Sequence, residues 1–136
     1  MKVGMKISYT GELHCEATHL KSGTVISTDA PPDNKGKGEA FSPTDLTCVS
    51  LATCIITTMA ISADLKNIPF AKVEADIEKI MADNPRRIQE IVIELTISGV
   101  NWTERERTIM ENVAHTCPVS RSLHPDVKQT VSFAYL

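Results

Sequence analysis

From Leu46 to Ala63 the chain carries no charged residue. The run is framed as a helix. Ser42 can cap it, Pro43 suits the first helical position, and Asp45 at the third favours the positive end of the helix dipole. The helix is expected to continue to about Lys66–Asn67, ahead of Pro69. Its apolar and small uncharged residues lie all round rather than along one stripe, so it must be buried on every side. A chain of 136 residues has trouble wrapping such a helix alone. A second copy is expected to supply the missing cover, which makes the working unit a homodimer. A bilayer-spanning helix needs about 20 predominantly apolar residues. Six of the eighteen positions from Leu46 to Ala63 are Ser or Thr, so no membrane span is expected.

The rest of the chain alternates. Val3, Met5, Ile7 and Tyr9 alternate with polar neighbours, as in a half-buried strand. Leu13 to Leu20 and Thr24 to Thr28 read as two weaker strands, and Asp29 to Glu39, with Pro31, Pro32, Gly36 and Gly38, as a loop. Beyond the long helix, Val73, Ala75 and Ile77 alternate with acidic residues. After a turn at Asp83–Asn84–Pro85, Ile91, Ile93, Leu95 and Ile97 alternate with Glu90, Glu94, Thr96 and Ser98, which predicts a long antiparallel hairpin with one wet face. Thr103-Glu104-Arg105-Glu106 has the pattern of a capping box. It opens a second helix to about His115, whose apolar side is read as Ile109 and Val113 and, more loosely, Met110. Pro118 to Leu123 reads as a short helical turn and Gln129 to Tyr135 as a last strand. The order βββ-α-ββ-αα-β is that of an α+β fold, in a single domain over 1–136.

A net charge of −3 with no basic stripe argues against nucleic-acid binding. No signal-like apolar stretch follows the first residues, so a cytoplasmic location is expected. In that compartment four cysteines suggest redox or metal chemistry rather than a disulfide framework.

Cys48 and Cys54 share the long helix. Six residues rise about 9 Å along a helix axis, beyond the roughly 7 Å Cα separation a disulfide allows. Each could therefore pair only elsewhere, and Cys117 is the candidate partner of either. Cys15 and Cys48 read as small buried hydrophobes. Cys117 precedes Pro118 at the start of a short helix, where exposed N–H groups favour thiolate, with His115 and Arg121 near in sequence. A thiol in a dry wall facing a second thiol at a helix mouth suits peroxide reduction, one sulfur being oxidised and the other resolving it. A zinc site from Cys48, Cys54, His115 and Cys117 lacks the usual ligand spacings, and no metal is expected.

Three stretches together resemble one family: Ser42-Pro43-Thr44-Asp45-Leu46, then Leu51-Ala52-Thr53-Cys54 within a long apolar helix, then Cys117-Pro118-Val119-Ser120-Arg121-Ser122-Leu123. The chain is similar along its whole length to the OsmC/Ohr superfamily of osmotically induced and organic hydroperoxide resistance proteins, and closest to its OsmC-like branch. The resemblance implies an OsmC-like fold, with antiparallel sheets, a long central buried helix and an intertwined homodimer. It implies two interfacial sites in which Cys54 is the peroxidatic and Cys117 the resolving cysteine. The implied substrates are organic hydroperoxides, with thiol reductants, lipoyl-linked in the Ohr branch, restoring the dithiol and no cofactor bound.

The sequence departs from the peroxidases of the family at two places. Their glutamate slot is held by Thr44, with Asp45 one step on; these two are the candidate substrate-binding residues. Their N-terminal arginine has no counterpart, since Arg86 is the first arginine in the chain. Lys6, His19 or Lys21 would have to stand in, and a lysine lacks the bidentate fork. A second reading, from another class, is a binding module whose interfacial pocket holds a small apolar or thiol-reactive ligand with little turnover.

Overall fold

In the computed structural model, which describes residues 1–136, the chain divides into two compact units, Met1–Thr47 and Cys48–Leu136. The first holds an antiparallel meander of β1 (Met5–Gly11), β2 (His14–His19) and β3 (Val25–Asp29). Gly11 has φ +95°, and β1 slips register between Tyr9 and Gly11, which lets the chain reverse tightly into β2.

The loop after β3 folds back on this sheet. The Asp29 amide donates to the Phe41 carbonyl at 3.1 Å and the Ala30 amide to that of Leu13 at 3.1 Å. The buried Asp29 carboxylate meets His14 Nδ1 at 2.5 Å and accepts from the Glu39 amide at 2.9 Å. Lys37 pairs with Glu12 at 2.7 Å. Gly36 passes so close to Ala30 that a Cβ there would lie 1.6 Å from the Ala30 carbonyl oxygen, which leaves room for glycine alone. The alternation of β1 predicts a half-buried strand. Instead Met5, Ile7 and Tyr9 are each about two-thirds exposed.

The long helix, α1 (Pro43–Leu65), starts where its cap predicts. Ser42 Oγ accepts from the Asp45 amide at 3.1 Å, and the Asp45 carboxylate accepts from the Ser42 amide at 2.9 Å. This is a reciprocal cap with aspartate in the glutamate position.

The second unit is a three-stranded sheet in the order β4 (Lys72–Ala82), β5 (Arg87–Ser98), β6 (Lys128–Tyr135). The β4–β5 hairpin is antiparallel, as its two alternating runs require. The β5–β6 pair is parallel. Parallel neighbours need a crossover, which α2 (Glu104–Ala114) and α3 (Pro118–Ser122) supply. Ile91, Ile93, Leu95 and Ile97 of β5 are buried against Leu51, Ala52, Ile55, Met59 and Ala63 of α1 in one core. Each such large aliphatic side chain contributes about 1.5–3 kcal/mol by leaving water.

By length and composition alone α1 is apolar enough to cross a membrane. In this chain its inner face packs in the core, while Thr53, Thr57, Ile61 and Leu65 stay exposed. One chain thus covers one side of a helix whose sequence asks for cover all round.

Helix α2 carries the expected capping box between Thr103 and Glu106. Its buried residues are Met110 and Ala114, whereas Ile109 and Val113 are only partly covered. The inward face runs through Arg107 instead. That guanidinium lies over the Tyr135 ring, 4.0 Å from its centroid, and the Tyr135 hydroxyl donates to the Glu111 carboxylate. Burial and Glu111 together push the Tyr135 phenol far above its usual range. Trp102 touches the edge of Tyr135 and donates its indole N–H to the Pro69 carbonyl at 2.5 Å. A cation stacked on an aromatic ring turns a charged position into an inward one.

Candidate functional site

Cys54 lies in the fourth turn of α1 and Cys117 at the N-cap of α3. Cys54 packs against the core cluster that holds Cys117, near enough for each thiol to bear on the other's ionisation. Cys117 is fully buried and Cys54 half-buried, so Cys54 is the sulfur that solvent reaches first. None of the four cysteines is in a disulfide. Cys48 is buried in the core as a small hydrophobe, and Cys15 sits in β2 facing Thr28 of β3 in register.

Cys117 Sγ accepts from the Ser120 amide at 3.2 Å, as a cap should. The helix mouth predicts a thiol biased toward thiolate, and here burial outweighs it. The Cys117 thiol is pushed up from its ordinary value, first by desolvation and further by the neighbouring Cys54. The Ser120 and Val119 amides oppose this but do not win. Two N–H groups of a five-residue helix are a small field to set against full removal from water. His115 and Arg121, near in sequence, are both exposed.

Gln129 joins the site without having been singled out by any sequence pattern. Its amide oxygen accepts from the Ser120 hydroxyl at 2.5 Å and its amide nitrogen donates to the Ser120 carbonyl at 3.1 Å. No local spacing announces a contact between a strand and a helix nine residues apart. The available signal was a polar residue on a strand face otherwise made of Val131, Phe133 and Tyr135.

Thr44 and Asp45 stand at the head of α1. The Asp45 carboxylate and the Thr44 hydroxyl both hydrogen-bond Ser42, the latter at 3.2 Å between oxygens, so the structure groups them with the cap. His19 Nδ1 meets the Ser22 hydroxyl at 2.6 Å, and Lys6 lies in β1. No group of three or more His, Cys, Asp or Glu side chains converges as a metal-ligand set.

Residues 36–132 match the family described as OsmC-like protein. A crystal structure from Psychrobacter arcticus 273-4, provisionally named an osmotic stress induced and detoxification response protein, is 45% identical. It superposes with a TM-score of 0.90 over 95% of this chain and 93% of that one. Two more distant structures share the fold. An organic hydroperoxide resistance protein OsmC from Legionella pneumophila is 20% identical, with a TM-score of 0.74 over 98% and 97% of the two chains. A Vibrio cholerae protein provisionally assigned to organic hydroperoxide resistance, with captopril in one of its active sites, is 16% identical, with a TM-score of 0.76 over 98% and 91%. No functionally curated protein matches the chain.

Proposed function

Because the chain belongs to the OsmC-like protein family, we propose that it is a thiol-dependent peroxidase acting on organic hydroperoxides, with Cys54 and Cys117 as its dithiol. The observation that carries this reading is the packing of half-buried Cys54 of α1 against the core cluster that holds fully buried Cys117 of α3. In this reading the Cys54 thiolate attacks the terminal oxygen of the hydroperoxide. The O–O bond breaks, the sulfur becomes a sulfenic acid, and the alkoxide leaves as the alcohol after taking a proton. Cys117 then attacks the Cys54 sulfur; an S–S bond forms, the S–O bond breaks, and hydroxide leaves as water. An external dithiol, for which a lipoyl group is the candidate, reduces the disulfide by exchange.

The protein acts as a homodimer in this reading. The support is apolar surface that one chain leaves open: Met5, Ile7 and Tyr9 of β1, and Ile61 and Leu65 of α1. Residues 1–136 serve as one functional domain, and a cytoplasmic location fits free thiols held reduced.

The raised Cys117 pKa favours the second reading, an interfacial binding module with little turnover. One assay separates the two. Consumption of cumene hydroperoxide with lipoamide as reductant should proceed with the native protein and stop in Cys54→Ser. Turnover no greater than that of Cys54→Ser would remove the enzyme reading.

A further inference from the structure

Gln129 stands where the strand pattern asks for an apolar residue. In the parallel register it lies beside Ile91, and the next residues on its face are Val131, Phe133 and Tyr135. A half-buried amide in such a place costs free energy unless both its ends are bonded. Both are bonded, and both bonds go to one residue, Ser120, through its hydroxyl and its carbonyl. Gln129 thus grips Ser120 by side chain and backbone together. The same Ser120 directs its backbone N–H at the Cys117 sulfur, at 3.2 Å.

Helix α3 has little of its own to hold that N–H in place. It is five residues long, and its backbone bond across the cap is the Arg121 amide to the Cys117 carbonyl at 3.2 Å. So short a helix is marginal without outside support. The two bonds from β6 hold the Ser120 side chain and the peptide that follows it, and so place the residue whose N–H, in the preceding peptide, meets Cys117.

We propose that Gln129 is a positioning residue for the Cys117 thiol, acting through Ser120 to keep one N–H aimed at the sulfur as it becomes the nucleophile. This rests on reading Cys117 as the resolving thiol. In the resolving step a Cys117 thiolate displaces hydroxide from the sulfenic sulfur of Cys54. The Ser120 N–H bonds the thiolate more strongly than the thiol or the disulfide sulfur, so it supports the attacking species. The titratable group that meets Cys117 is Cys54 of α1, and the groups that favour the Cys117 thiolate are the Ser120 and Val119 amides. The grip on Ser120 therefore acts on one of the two donors the thiolate has.

The test is the pH profile of Cys117 alkylation by iodoacetamide, followed on its own peptide by mass spectrometry, in the full chain carrying Cys54→Ser. Gln129→Leu keeps the bulk and removes both bonds; Ser120→Ala removes one; Ser120→Thr keeps the hydroxyl. Losing an aimed hydrogen bond to a charged group should move the midpoint up by about one pH unit in Gln129→Leu. The shift should be smaller in Ser120→Ala and absent in Ser120→Thr. Mere loosening of α3 would let water reach Cys117, raise the limiting rate and move the midpoint down, and a midpoint that is unmoved or lowered overturns the proposal. Should Gln129→Leu fail to fold, the Ser120→Ala and Ser120→Thr pair decides the question in the same way. Alkylation needs no hydroperoxide turnover. A raised midpoint in a protein that consumes no cumene hydroperoxide would support the grip while defeating the peroxidase reading.

Discussion

At the scale of single residues, the two best-placed polar groups are settled by what their atoms touch. Asp29 illustrates it. The hydrogen bond from His14 holds its carboxyl below the usual carboxylate range; burial acts the other way, and the Glu39 and Ala40 amides add to the lowering. A depressed folded pKa means that the ionised form contributes stability fully above the unfolded value of about 3.9. That stability is lost as pH falls through the lower, folded value. Asp29→Asn should therefore be less stable than the native protein in urea at pH 6, and the gap should close as pH approaches the Asp29 folded pKa. A gap that stays constant with pH would mean that the charge is not what holds the loop.

Cys117 is the opposite case. Its cap position was legible from Cys117-Pro118, but its full burial was not, and burial decides the sign of its shift. If Cys117 resolves a Cys54 sulfenic acid, then Cys117→Ser should leave that acid standing after one equivalent of cumene hydroperoxide. Dimedone labelling would detect it on the Cys54 peptide, in greater yield than in the native protein. Equal labelling in the two proteins would deny Cys117 a resolving role.

At the scale of elements, boundaries were legible wherever local chemistry sets them. The Ser42–Asp45 cap, the Thr103–Glu106 capping box and the β4–β5 alternation all act within a few residues, and all fall where read. The rotation of α2 about its axis was not legible. Arg107, Met110 and Ala114 share the inward face, and the arginine is there because Tyr135, distant in sequence, offers a ring beneath it. The direction of β6 depended likewise on where the α2–α3 crossover lands. Met110 is fully buried and Ile109 partly so. Met110→Ala should then cost about 2–5 kcal/mol, and Ile109→Ala clearly less, by urea denaturation of the two variants side by side. The reverse order would place the inward face where the bare apolar pattern put it.

At the scale of the molecule, composition sets the expectation for assembly. The absence of a polar face on α1 asked for more cover than one chain has, and Ile61 and Leu65 remain open on it. The exposed face of β1 makes the same demand from another part of the chain. Sedimentation at low micromolar concentration should give twice the 14.9 kDa chain mass. A well-folded monomer at that concentration would contradict the dimer. The absence of any arginine before Arg86, and Thr44 at the head of α1, were also legible. Spacing alone left Cys48 and Cys54 both open as partners of Cys117, and only the family resemblance pointed to the meeting of α1 and α3 at Cys54.

That meeting is what the proposed chemistry depends on, and peptide mapping after one equivalent of cumene hydroperoxide tests it most directly. A single dominant Cys54–Cys117 disulfide within the chain is expected, with Cys15 and Cys48 left reduced. A dominant Cys48–Cys117 link, or no intramolecular disulfide at all, would contradict it.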